Sequence, residues 1–222
     1  MPTRAVISEF CDLHGEPAVR GFLHVPEQGN GHGIALTHGA GADCESRLLR
    51  SIAGAFADAG YLVLRLNLPF RQQRPHGPPL PAGAARDREG LRHAVSIMRS
   101  KVSGKLWVGG HSYGGRQATM VAAESPELAA GLMLLSYPLH PPRKPTQLRI
   151  EHFPRLTVPA LFVHGSRDPF GLLAEMESAL KLIPASTMLL AVEGGGHDLL
   201  PKKAESDLPA RVLHEFHRFF AL

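Results

Sequence analysis

Leu106-Trp107-Val108-Gly109-Gly110-His111-Ser112-Tyr113-Gly114-Gly115 runs from a short apolar stretch, through a glycine-flanked serine, into a helical pattern. A serine held between a buried strand and a helix matches the nucleophile elbow. The turn is so tight that a side chain two residues to either side of the serine would collide with neighbouring backbone. Gly110 and Gly114 occupy those places. The geometry strains the serine and lifts its hydroxyl above the sheet. The amides of the helix that follows point toward any negative charge forming nearby.

Working outward, short apolar runs alternate with amphipathic ones, which predicts a mostly parallel α/β sheet with helices on both faces. Strands are expected at 5–10, 19–25, 33–37, 61–66, 105–110, 132–136, 160–164 and 187–192. The first two are joined by the Gly15-Glu16-Pro17 turn. Helices are expected at 46–59, 86–102, 113–125, 171–182 and 209–220, the first carrying Leu49, Ile52, Ala53 and Phe56 on one face and stopping at Gly60. The Pro/Gly-rich stretch 69–85 reads as a long loop, and the Pro-rich stretch 137–159 as a short covering loop. The whole of 1–222 reads as one domain without a separate lid domain.

A serine hydroxyl needs a base to take its proton and a third group to orient that base. Asp168, in His164-Gly165-Ser166-Arg167-Asp168, follows one expected strand. His197, in Glu193-Gly194-Gly195-Gly196-His197, follows the next. Both belong at the carboxyl edge of the sheet with Ser112, in the order serine, acid, histidine that an elbow of this kind requires. Glu193 is the rival acid, and Asp87 is explained as a helix cap. Of the other histidines, His38, His111 and His164 are assigned to packing or hydrogen bonding. His140 and His152 lack the loop context, and His214 and His217 are assigned to a solvated helix face. The small residues of His38-Gly39-Ala40-Gly41-Ala42-Asp43 allow close backbone approach, so the N–H groups of Ala40 and Tyr113 are the candidate oxyanion donors. Gly39 or Gly41 could stand in for Ala40. Phe70, Phe170 and Leu199, with Tyr113, are candidate apolar walls for a small acyl substrate.

Composition narrows the class. Of 222 residues 44% are hydrophobic, too many for a disordered chain. No run is long and apolar enough to span a bilayer, and Met1-Pro2-Thr3-Arg4 leads into a strand-like stretch rather than the apolar core of a signal peptide. Cys11 and Cys44, the only cysteines, fit no metal or redox spacing and are expected as free thiols in the cytoplasm. No metal or other cofactor is implied, since the glycine loop at 39–41 lacks the dinucleotide fingerprint. The net charge of +4 is uneven. Residues 65–105 hold nine Lys/Arg against two Asp/Glu, readable as a solvated outer helix or as a face for an anionic substrate or partner. Basic residues without interleaved aromatics argue against nucleic acid.

Together, His38-Gly39-Ala40-Gly41-Ala42-Asp43, Arg65-Leu66-Asn67-Leu68-Pro69-Phe70, Gly109-Gly110-His111-Ser112-Tyr113-Gly114-Gly115, His164-Gly165-Ser166-Arg167-Asp168-Pro169-Phe170 and Gly196-His197 resemble the small, lidless α/β-hydrolases near the dienelactone hydrolases. More closely, they are similar to a hydrolase branch that includes a eukaryotic subunit of a histone acetyltransferase complex. The resemblance runs from about residue 19 to 220. It implies the α/β-hydrolase fold and a Ser112–Asp168–His197 triad acting on a carboxylic ester or thioester. Dienelactone hydrolases carry cysteine where this chain has Ser112, so the dienelactone substrate is not carried over. The alternative is a catalytically weak scaffold of the same fold that binds a protein or anionic partner.

Overall fold

The computed structural model describes residues 5–200 and 206–222; Met1-Pro2-Thr3-Arg4 lies outside them. Its centre is an eight-stranded sheet built from β1 (Val6–Asp12), β2 (Val19–Val25), β3 (Gly33–Thr37), β4 (Leu62–Asn67), β5 (Leu106–His111), β6 (Gly131–Leu135), β7 (Ala160–Gly165) and β8 (Thr187–Val192), in the order β1-β2-β4-β3-β5-β6-β7-β8. The β1–β2 and β2–β4 pairs are antiparallel, and every later pair is parallel. β3, β5, β6 and β7 are buried along their whole length, which is why they read as continuous apolar runs rather than as alternating ones.

The two-residue period of the strands sorts their side chains into two cores. Ala35, Leu64, Leu66, Leu132 and Leu134 face one side, where they meet α3 (Ala84–Lys101), α4 (Tyr113–Glu124) and α5 (Leu173–Leu180). Ile34, Leu36, Val63, Met133 and Leu135 face the other, against α1 (Arg47–Asp58) and α6 (Leu208–Phe220). Trp107 anchors the second core with its ring 5.0 Å from Phe216 and 5.5 Å from Phe220. Each such fully buried large side chain contributes about 1.5–3 kcal/mol from burial.

Three local expectations are corrected. Residues 69–85 are not all loop: α2 (Pro69–Gln73) and a single 3-10 turn at Pro81–Gly83 lie within them. Pro69 opens α2, where its missing N–H costs nothing. The stretch 137–159 does not merely cover the fold. Tyr137, Leu139, Phe153 and Leu156 are buried in the first core, and the Tyr137 hydroxyl donates to the Arg149 carbonyl at 2.6 Å. On α6, His214 is exposed, but His217 stacks on Tyr61 and bonds its hydroxyl at 2.9 Å.

Cys11 and Cys44 are both free thiols. Burial pushes the Cys44 thiol up to about 12, so it stays protonated and unreactive. Several cations of the basic segment 65–105 are paired within the protein. Arg65 meets His24 and Glu45, Arg86 meets Glu16, and Arg92 meets Glu89 and Glu124. No helix of the described residues is long and apolar enough to cross a membrane.

Candidate active site

Ser112 stands between β5 and α4 with φ of 50°, a conformation that costs a non-glycine residue about 1–3 kcal/mol and persists only when its surroundings enforce it. The surroundings are visible. The Ser112 N–H donates to Leu135 O at 2.9 Å, and Gly114 N–H to His38 O at 3.1 Å. A Cβ on Gly110 would lie 2.3 Å from Thr37 O, and one on Gly114 would lie 2.6 Å from His38 O. The two glycines are required by crowding from backbone that cannot move aside.

The structure brings together the three side chains singled out from the sequence. His197 Nε2 lies 2.7 Å from Ser112 Oγ, and His197 Nδ1 lies 3.0 and 2.9 Å from the two carboxylate oxygens of Asp168. An ionised carboxylate only accepts, so Nδ1 carries the hydrogen and Nε2 is left to accept from the serine hydroxyl. Asp168 is fully buried. Burial alone would raise its pKa, but the hydrogen bond and charge of His197, the Phe170 N–H at 2.9 Å and nearby His164 outweigh it and hold the carboxyl below the usual range. The rival Glu193 is exposed.

The loop carrying His197 is pinned rather than free. Gly194 N–H donates to Ser166 Oγ at 2.9 Å, and Arg167 N–H to Gly195 O at 2.9 Å. His111, beside the serine, bonds the carbonyl of His197 through Nε2 at 2.9 Å. Burial, and then the neighbouring His197, push His111 down to about 4, so it stays neutral and donates there. His38 and His164 have the hydrogen-bonding roles expected of them: His38 Nε2 accepts from Leu68 N–H at 3.1 Å, and His164 Nε2 donates to Gly171 O at 2.8 Å.

A cavity of about 910 Å³ opens over Ser112. Ala40 and Tyr113 line it, and the Tyr113 N–H, in the first turn of α4, has no intrahelical acceptor. Such an amide pair can receive an oxyanion. Phe170 is on the wall and stacks on the His197 ring at 4.1 Å. Phe70 and Leu199 are not among the described lining residues. Phe70 is buried beneath, against His38 and Tyr113, and Leu199 belongs to the second core. An aromatic after a strand end and an apolar residue after the histidine had equal claims to wall and core, and packing took them both.

Asp87 also departs from expectation. It does not cap its own helix, α3; Asp87 accepts from Phe70 N–H, in the first turn of α2, at 2.9 Å and from the Tyr113 hydroxyl at 2.7 Å. Sequence reading missed Arg71, whose buried guanidinium donates to Ala40 O at 2.7 Å and Ala42 O at 2.8 Å, shaping the loop of the candidate oxyanion donor. Arg88, Arg116 and Arg149 also line the cavity; Arg88 was weighed only within the basic segment 65–105, and Arg116 and Arg149 were missed. Arg116 was within reach of a helical reading, because it lies one turn beyond Ser112 on α4.

Comparison with known proteins agrees with this architecture. A family model described as "Alpha/beta hydrolase domain" matches residues 31–220. Among solved structures, the chain is similar to a dienelactone hydrolase from Anabaena variabilis (22% identity, 98% of each chain covered, TM-score 0.75). It is also similar to XC6422 from Xanthomonas campestris, described as an α/β serine hydrolase without lid (16% identity, 98% of this chain and 96% of that one, TM-score 0.72). Est1E from Butyrivibrio proteoclasticus matches at 16% identity over 99% of this chain and 100% of its own, with a TM-score of 0.71.

Proposed function

The chain belongs to the α/β-hydrolase family, and on that footing we propose that it is a one-domain serine hydrolase cleaving a carboxylic ester or thioester through an acyl-enzyme on Ser112. One observation carries this reading: the unbroken chain of short contacts from Ser112 Oγ through His197 to buried Asp168. His197 Nε2 takes the hydroxyl proton as Oγ attacks the carbonyl carbon. The Ala40 and Tyr113 amides receive the oxyanion, a contribution of about 3 kcal/mol per donor on the scale seen elsewhere. The imidazolium returns its proton to the departing alcohol or thiol. Water, deprotonated by the same nitrogen, then releases the acid. Asp168 holds the imidazole in its working tautomer throughout.

A fluorophosphonate probe and a series of p-nitrophenyl esters of graded chain length test the proposal. Labelling should map to Ser112, disappear in Ser112→Ala, and accompany ester turnover. Asp168→Asn, which keeps the shape but loses the ionised acceptor, should lower kcat by about 10⁴-fold. Labelling that persists in Ser112→Ala removes Ser112 from its role. An unlabelled, inactive protein that still captures a partner would instead favour the scaffold reading of the same fold.

A further inference from the structure

Beyond Ser112, the cavity is lined by three guanidinium side chains from three separate elements: Arg88 on α3, Arg116 on α4 and Arg149 in the 137–159 stretch. Like charges converge in a partly enclosed space only at a cost, which is larger where they are desolvated. All three are half-buried, and their partners are weak. Arg88 reaches Gln117 Oε1 at 3.3 Å and Glu124 at 3.9 Å, while Arg92 also takes Glu124. Arg149 donates to Pro138 O at 3.3 Å. No described carboxylate lies within ion-pair distance of Arg116 or Arg149. The Arg116 Nε is buried and has no hydrogen-bond partner. Burial first, and then the charge of Arg116, lower the pKa of Arg149, so Arg149 feels the Arg116 guanidinium. The one acidic residue among those described as lining the cavity is Asp198, beside His197.

Half-buried guanidinium groups are satisfied by oxyanions such as carboxylate and phosphate, which accept two parallel hydrogen bonds and neutralise charge together. We infer that the substrate carries, besides the scissile ester or thioester, an anionic oxygen group (carboxylate or phosphate) that docks on Arg116 and Arg149, with Arg88 adding to the field. This rests on the hydrolase reading and narrows it: the enzyme would select charged esters over neutral ones of equal size.

Two measurements test it. The first compares monophenyl esters of dicarboxylic acids of graded length with phenyl alkanoates of matching length, by phenol release. At the best length the half-ester should have a kcat/KM about tenfold or more above its neutral counterpart, the scale of one charge-assisted hydrogen bond. Arg116→Met and Arg149→Met should each bring that ratio toward one, with Arg116→Lys restoring part of it. The second measurement needs no catalysis. Glutarate and inorganic phosphate are titrated calorimetrically into Ser112→Ala protein, and into the same protein carrying Arg116→Met, with melting curves to confirm folding. Saturable binding that weakens about tenfold or more with Arg116→Met supports the inference. Tighter binding of phosphate than of glutarate would point to a phosphorylated substrate, and the reverse to a carboxylate. A ratio near one in the parent enzyme, or anion binding that is absent or indifferent to Arg116→Met, overturns the inference while leaving Ser112 labelling and neutral-ester turnover intact. Loss of labelling and turnover, with anion binding retained, would fault the hydrolase reading instead.

Discussion

The Tyr113 hydroxyl donates to Asp87 across 2.7 Å, joining the helix that follows Ser112 to α3, the helix packed beside it. Asp87 is fully buried, and its second oxygen takes the Phe70 N–H. Burial raises the Asp87 pKa, against the pull of these two hydrogen bonds. Removing one donor therefore leaves a desolvated acceptor short of a partner. Tyr113→Phe should cost about 1–3 kcal/mol of stability, read as a lower urea midpoint with an unchanged m-value. Ester turnover below the melting range should change far less, because the backbone N–H of residue 113 survives the substitution. A midpoint equal to the parent's would refute the role given to this bond.

Arg71 is a positioning residue by the same logic. Its guanidinium holds the carbonyls of Ala40, Ala42 and Gly77 at 2.7, 2.8 and 3.1 Å, a fork that a lysine cannot reproduce. Both Arg71→Lys and Arg71→Met should lower kcat, by up to about 10²–10³-fold if the Ala40 amide is lost as an oxyanion donor. KM should stay nearly constant. A variant that melts earlier yet turns over normally would reduce Arg71 to a structural support.

Acid sensitivity follows from four buried imidazoles. Burial is the leading cause that holds His24, His38, His111 and His152 down to about 4, against about 6.5 in an unfolded chain. Between those values the unfolded chain binds protons that the folded one refuses. Their contribution to stability is therefore complete above pH about 6.5 and is lost as the pH falls to about 4. Each histidine contributes a slope of order 1.4 kcal/mol per pH unit within that window. Urea midpoints measured from neutral pH down to about 5 should drop steadily, with protons taken up on unfolding. A flat profile would contradict it.

What could be read in advance was local. β2, β3 and β8 occupy the residues that hydrophobic runs and turn signals assign to them: β3, buried along its whole length, leaves a continuous apolar trace, while the partly buried β2 and β8 are marked by apolar residues between turn signals. The elbow was legible because its glycines answer to sterics within a few residues. Asp168 and His197 were legible because each follows a strand end. Asp87 was misread because its partners, Phe70 and Tyr113, are distant in sequence, and a carboxylate near a helix start resembles a cap. Phe70 and Leu199 failed as walls because apolarity does not say which way a side chain turns. The Arg116–Arg149 neighbourhood exists only once α4 and the 137–159 stretch are packed together, and no short-range pattern announces it.

Pro78, Pro79 and Pro81 stand on the rim of the cavity, and the Gly77 carbonyl beside them is tied to Arg71. Proline rings fix φ and offer no N–H to a visitor. An entrance edged this way surrenders little motional freedom when a molecule arrives. Its outline is largely set before the encounter, so the shape and charge of the guest weigh heavily in admission.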